Sequence, residues 1–235
     1  MLKAVYFDRD GTLAHDDPAW IKLRDESLTE WSGKPFHYTD EMFGRLFVEV
    51  LDGGFPFAPY HNVEEEIQFF RQWYRFLFAE LHITEHVEER LDLLTDRLWY
   101  WGKVCFPETL ETLEYFCSRG WKMGVISDCP PSLEMTLKNC GIHSYFTSFT
   151  ASSLAGEGKP SPVIFGAALR DQGVLAVEAL YVDDTKIEAD GAREQGFTSF
   201  WLDRSGRESG EWVIHSLLDL VEYARELEGE ERQNG

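Results

Sequence analysis

From residue 107 onward, short apolar runs alternate with amphipathic stretches of helical period, and this alternation constrains the chain more than any other feature. Helix signals cover residues 108–119, 132–139, 162–172 and 188–195; strand-like runs cover 122–126, 179–182 and 199–202, with a further apolar stretch at 145–149. Gly141 ends the second helical stretch, and a glycine-containing loop occupies 156–160. Strands that alternate with helices pair in parallel, because each crossover lays a helix on a sheet face, so both faces become buried. Residues 3–7 read as one more buried strand, yet residues 16–103 separate it from the rest with a helical texture at 20–31, 39–51, 63–82 and 87–101. Asn62 with Glu65 three residues on, and Thr84 before the next stretch, read as helix starts. The expected architecture is therefore an α/β core interrupted after its first strand by a helical insert. A last amphipathic helix is expected at 212–227, followed by a solvated tail at 228–235.

Charge and composition exclude whole classes of function. With 42 acidic against 22 basic residues, the net charge of −20 repels nucleic-acid phosphates and anionic membranes. At 43% hydrophobic residues the chain has the apolar matter for a core and lacks the signature of disorder. Ala4-Val5-Tyr6-Phe7 is too short for a signal-peptide apolar region, and no run approaches the ~20 apolar residues of a membrane span. Cys105, Cys117, Cys129 and Cys140 show no C-x-x-C spacing, which fits reduced, mostly buried thiols. A cytoplasmic setting, no nucleic acid, no membrane and no obligate protein partner are the expectations.

In open α/β sheets ligands bind outside the carboxyl ends of strands, so residues just after each strand carry the chemistry. Asp8-Arg9-Asp10-Gly11-Thr12 follows the first strand and sets two carboxylates at i and i+2 around a turn. Such a pair calls for a cation, and oxygen donors suit Mg2+. Taken alone, it is equally what a turn with capping aspartates looks like. Ser127 places a hydroxyl at the end of the 122–126 strand, in a position where most serines only cap. Gly158-Lys159-Pro160 holds a cation ahead of a helix, although most lysines are solvated. Tyr181-Val182-Asp183-Asp184 ends another strand on a second acidic pair, and there Asp184 has the alternative of starting the next helix.

Taken in this order and placement, the four motifs resemble those of the haloacid dehalogenase superfamily of phosphohydrolases. The resemblance covers residues 3–13 and about 105–202, extends to Ile164-Phe165, Gly191-Ala192 and Gly196-Phe197, and likens the insert to that family's helical caps. It implies a Rossmann-like α/β catalytic core at 1–13 and 105–235 and an α-helical cap at 14–104. It further implies a Mg2+-dependent phosphatase acting on a small phosphorylated metabolite. Asp8 would be the nucleophile, forming an aspartyl phosphate, and Asp10 would carry the proton to the leaving oxygen and then activate water. Asp8, the Asp10 carbonyl and Asp184 would hold the metal, with Asp183 on a metal-bound water. Ser127, Asp128 and Lys159 would bind the phosphoryl oxygens, and Thr12 would orient Asp8. The sequence departs from the family pattern at Arg9, Asp128, Ser161 and Glu188.

A sugar-phosphate mutase of the same superfamily shares all four motifs. A haloacid dehalogenase needs neither Asp10 nor the acidic pair, and a non-catalytic phospho-aspartate signalling domain would carry its aspartate after a middle strand. More than half of the aromatic residues fall in 14–104, with a cluster at Phe69, Phe70, Trp73, Tyr74, Phe76 and Phe78. Helical spacing makes bundle core the favoured reading of that cluster over a substrate pocket. His15, Trp20 and Arg24 are the candidates for substrate selection because they follow the catalytic loop, though each is equally an ordinary hinge or helix residue. The loop 53–59 either lines an entrance or connects two helices, and Cys129 lies two residues beyond Ser127.

Overall fold

A computed structural model describes residues 2–53, 60–98 and 102–234. Six parallel strands form one sheet: β1 (Ala4–Phe7), β4 (Lys122–Ser127), β5 (Ser148–Ala151), β6 (Ala179–Asp183), β7 (Thr198–Leu202) and β8 (Val213–Ile214). Their order is β5-β4-β1-β6-β7-β8, so the first strand sits inside the sheet between β4 and β6. Ala4, Val5, Tyr6 and Phe7 are fully buried, as expected for a strand covered on both faces. On one face Tyr6 and Tyr181 pack with Phe165, Ile164, Ala168 and Phe197. On the other, Phe7 meets the rings of Phe116 and Phe146 edge-on. The crossover helices are α5 (Thr109–Ser118), α8 (Pro162–Gln172) and α9 (Lys186–Glu194), with a single-turn α7 (Ser152–Ala155) after β5. The α/β, Rossmann-like reading of the sequence describes this sheet.

Contacts divide the chain into two units. One holds the chain up to His15, Cys105–Cys129 and the part from Cys140 on; the other holds Asp16–Val104 and Pro130–Asn139. A two-stranded ribbon of β2 (Ala14–Asp16) and β3 (Lys103–Cys105) stands where the chain leaves the first unit and returns. The second unit is helical: α1 (Pro18–Ser32), α2 (Asp40–Asp52), α3 (Val63–Glu80), α4 (Val87–Asp92) with a π-helical turn at Leu93–Leu98, and α6 (Leu133–Asn139). Helix α6 groups with this unit although the sequence reading places it in the core. The cause is Glu66 on α3, fully buried, which accepts hydrogen bonds from the Ser132 N–H at 2.9 Å and the Ser132 hydroxyl at 2.8 Å. The aromatic stripe is bundle core, since Phe69, Phe70, Trp73, Tyr74 and Phe78 are buried together with Leu28, Leu46 and Leu91.

Asn62 caps α3 by accepting the Glu65 N–H at 2.9 Å. Thr84 caps nothing: α4 starts after His86, whose φ of 51° turns the chain without a side-chain cap. Thr185, not Asp184, stands at the cap of α9. The last helix, α10, spans Leu217–Asn234 and not 212–227. Trp212 precedes β8, and the helix begins only after Ser216, whose hydroxyl accepts the Leu218 N–H at 3.1 Å. It continues through the stretch read as a solvated tail, because Glu, Arg and Gln are good helix formers and no proline interrupts them. Arg119 also ties Glu228 at 3.0 Å. The loop at 54–59 and the end of the stretch expected to reach residue 101 lie outside the described residues. No helix among the described residues is long and apolar enough to cross a membrane.

Candidate active site

Strand β1 delivers Asp8 to the carboxyl edge of the sheet, where its N–H donates to Val182 O at 3.0 Å and the residue is 5% exposed. The chain then reverses. Gly11 has φ of 72°, and a Cβ there would lie 2.0 Å from Asp184 Oδ2, so any side chain would be strained and would displace the Asp184 carboxylate. The N–H groups of Leu13 and Ala14 both donate to Arg9 O at 2.9 Å, which closes the turn. From the end of β6 come Asp183, fully buried, and Asp184, exposed.

Lys159 joins these groups from the loop before α8. Its Nζ donates to Asp8 Oδ1 and Asp183 Oδ2, each at 2.7 Å, and pairs with Glu188 at 2.6 Å. Two features hold the lysine loop in place. Asp128 Oδ1 accepts the Lys159 N–H at 2.9 Å. Gly191 on α9 admits Pro160 so closely that a Cβ would stand 2.3 Å from the proline Cβ. Asp183 is fixed in turn by the Tyr181 hydroxyl, which donates to Oδ2, and by the Thr185 N–H on Oδ1 at 2.8 Å.

The electrostatics of this cluster are those of too little positive charge. Burial, only partly offset by Lys159 and aggravated by Asp183, pushes the Asp8 carboxyl up to about 8. Burial likewise moves Glu188 up to about 7 against the pull of Lys159. Asp184 is raised, first by burial and then by Asp183. For Lys159, burial alone favours the neutral amine, but Tyr181, Asp8, Asp183 and Glu188 outweigh it and hold the ammonium well above its ordinary value. Asp8, Asp183 and Asp184 each offer an oxygen within 4.8 Å of the others. An all-oxygen set with unbalanced negative charge fits a hard divalent cation.

The remaining sequence candidates fall in different places. Asp10 is gripped by Arg9, 6% exposed, through Nε to Oδ1 at 3.0 Å and Nη2 to Oδ2 at 2.6 Å, and its charge also bears on Asp8 and Asp184. Thr12, implied to orient Asp8, accepts the Asp184 N–H at 3.1 Å. Ser127 is buried at the end of β4, and its side chain partners the Cys129 thiol. Burial raises that thiol to about 11, which disfavours the reactive thiolate. The Asp128 carboxylate holds the Lys159 loop by accepting the Lys159 N–H. His15 lies 4.8 Å, centroid to centroid, from the Phe106 ring. Trp20 and Arg24 belong to the helical unit, where the buried Arg24 guanidinium lies 4.9 Å from the Trp20 ring and 4.0 Å from Tyr38, with Asp25 at 2.8 Å.

Sequence reasoning missed three participants. Glu188 departs from the usual residue, and an acid in the first turn of the helix after Asp183-Asp184 is the signal for its lysine partner. Tyr181 stands two residues before Asp183 and therefore on the same strand face, a legible period of two. Arg9 was marked as unusual, but nothing in the sequence says that it folds back onto Asp10.

A family profile described as haloacid dehalogenase-like hydrolase matches residues 2–196. The chain is 26% identical over 222 residues to Phosphatase MT3486 of Mycobacterium tuberculosis (strain CDC 1551 / Oshkosh), covering 93% of this chain and 95% of that protein. Among solved structures it is similar to a HAD phosphatase from Thermococcus onnurineus, with a TM-score of 0.63 at 25% identity over 95% of this chain and 98% of that one. It is equally similar to a 2-haloacid dehalogenase from Pseudomonas syringae pv. Tomato DC3000, with a TM-score of 0.66 at 25% identity over 96% and 99% of the two chains. Phosphatase and dehalogenase thus share this scaffold, and since the profile spans every loop that meets at Asp8, the chain belongs to the haloacid dehalogenase-like hydrolases.

Proposed function

We propose that the protein is a Mg2+-dependent phosphatase that hydrolyses a small phosphorylated metabolite through an aspartyl phosphate on Asp8. The observation that carries this reading is the buried contact of Lys159 with both Asp8 and Asp183, beside a third carboxylate on Asp184. The reading makes Asp8 the nucleophile, Lys159 the phosphate-binding cation and the acidic cluster the seat of the metal, all on one sheet edge, and phosphoryl transfer requires such positioning and charge neutralisation. Asp8, the Asp10 carbonyl and Asp184 would hold Mg2+, with Asp183 on a metal-bound water. When bound, the cation neutralises charge on the phosphoryl oxygens and keeps Asp8 ionised.

The chain's own groups do the rest. Asp8 attacks phosphorus while Lys159, the Ser127 hydroxyl and the Asp128 backbone N–H take the phosphoryl oxygens. Asp10 protonates the leaving oxygen and then deprotonates the water that cleaves the intermediate. Thr12 acts through Asp184. The sheet unit is the catalytic core, and the insert at 14–104 is the cap that selects the substrate, with His15, Trp20 and Arg24 the first residues to vary. The absence of any need for Asp10 or an acidic pair in carbon–halogen displacement argues against a dehalogenase. The reduced cysteines fit a cytoplasmic enzyme.

A panel of phosphorylated metabolites with Mg2+, read by inorganic phosphate, tests the reading. Release that stops with excess chelator is expected. Isomer formation without release would make the protein a mutase; chloride release from a 2-haloacid, undiminished by chelator, would make it a dehalogenase.

Stability supplies a second test. Asp8 and Glu188 have folded-state pKa values of about 8 and 7, above those of an unfolded carboxylate near 4. The unfolded chain therefore releases these protons first, so the stabilisation is complete at low pH and is lost as pH rises toward 8. In chelator, stability is expected to fall between pH 5.5 and 8, at up to about 1.4 kcal/mol per pH unit and proton, and the melting temperature with it. Saturating Mg2+ at pH 8 should restore much of it. A melting temperature that rises over this range in chelator would contradict the site electrostatics.

A further inference from the structure

Arg204, just beyond β7, hydrogen-bonds the loop that follows Asp8. Its Nε donates to Gly11 O at 2.8 Å and its Nη2 to Thr12 O at 2.7 Å. Its Nη1 meets Glu108 at 2.5 Å, and the guanidinium carbon lies 3.5 Å from the Phe106 ring centroid. The side chain is 24% exposed, so this planar fork is largely withdrawn from water. The acidic loop answers its own N–H groups internally, through Gly11 N to Ala14 O and Leu13 N to Arg9 O, both at 2.9 Å. Arg204 answers the two successive carbonyls.

Those two residues are also the ones that meet Asp184. Gly11 has no space for a Cβ beside the Asp184 carboxylate, and Thr12 accepts the Asp184 N–H. Whatever fixes Gly11 and Thr12 therefore fixes Asp184 relative to Asp8. We propose that Arg204 is a positioning residue that sets the divalent-cation site by clamping the Gly11 and Thr12 carbonyls. The inference rests on the reading of Asp184 as a cation ligand. Glu108 and Phe106, which hold the guanidinium, lie just after the chain returns from the insert, so the clamp joins both ends of that excursion to the site.

The test is calorimetric titration of the full chain with Mg2+ alone, beside kcat and KM on an aryl phosphate. Arg204→Met keeps the stem over Phe106 and removes the fork; Arg204→Lys keeps a charge but cannot serve both carbonyls. Both are expected to weaken Mg2+ about tenfold, as loss of a group behind metal ligands commonly does. The rate at limiting Mg2+ should fall by a similar factor and recover at high Mg2+, with KM for the aryl phosphate within about twofold. A structural role alone would lower the melting temperature and leave Mg2+ affinity unchanged, which would overturn the inference. Should Arg204→Met fail to fold, Glu108→Gln loosens the same guanidinium, and about threefold weaker Mg2+ binding is expected; unchanged binding there would equally overturn it. Wild type that takes up no Mg2+ would remove the cation reading itself, whereas wild type and variants that bind alike would remove only the role of Arg204.

Discussion

Asp8→Asn is expected to lower phosphate release by at least about 10³-fold, because an amide oxygen is a poor nucleophile toward phosphorus. The fold gives little reason for any other effect. Asn has nearly the volume of Asp, the Asp8 N–H bond to Val182 is a backbone bond that survives, and Lys159 keeps Asp183 and Glu188 as partners. Burial holds the Asp8 carboxyl near 8, so its ionised form is the strained one, and the variant exchanges it for a neutral group. At pH 8 in chelator the variant should therefore melt no lower than wild type, and its melting temperature should depend less on pH. Acid-quenched mixtures should hold labelled phosphoenzyme for wild type and none for the variant. Turnover within tenfold of wild type, with mass spectrometry excluding deamidation back to aspartate, would take the nucleophile away from Asp8.

What the sequence disclosed and what it hid divide along the range of the interaction. Strand and helix periods are local, so the sheet with its interposed insert was readable, and the loops after β1, β4 and β6 carry their chemistry in consecutive letters. Asp8, Lys159, Asp183 and Asp184 could be grouped before any coordinates because the carboxyl ends of parallel strands share one edge. Their strength of coupling was not readable: that one ammonium touches Asp8, Asp183 and Glu188 depends on how α8 and α9 pack around Pro160 and Gly191. Arg204 is the extreme case, since it lies 192 residues from Thr12 in the chain and shows no spacing signal. The placement of α6 was hidden for a similar reason, as one buried carboxylate on α3 decides it. At the carboxyl terminus, in contrast, the high charge points to a tail, and helix propensity carries the helix through Asn234.

Asp10→Asn is expected to separate the two chemical steps, because the proposal gives this side chain two jobs. In the first step a proton must reach the leaving oxygen, which matters greatly for an alkyl phosphate and little for an aryl phosphate whose leaving group is already stable. In the second step a water must be deprotonated, whatever the substrate was. The variant should thus lose about 10²-fold or more on both, with the deeper loss on alkyl substrates, and an aryl phosphate should give a burst of phenol followed by slow turnover as phosphoenzyme accumulates. Arg9 adds a physical condition. It holds both oxygens of Asp10, so delivering a proton requires the carboxyl to give up part of that grip, and the amide variant leaves a buried guanidinium facing a neutral partner. The Asp10 side chain is 43% exposed, so water screens that loss to about 1 kcal/mol of stability. The metal is held through the Asp10 carbonyl in this scheme, so Mg2+ affinity by calorimetry should remain within about twofold, which separates proton transfer from cation binding. Rapid-quench measurement of enzyme-bound phosphate decides the matter: steady wild-type-like turnover on both substrate types, at unchanged Mg2+ affinity, would leave Asp10 a turn residue whose carboxylate serves only to anchor Arg9.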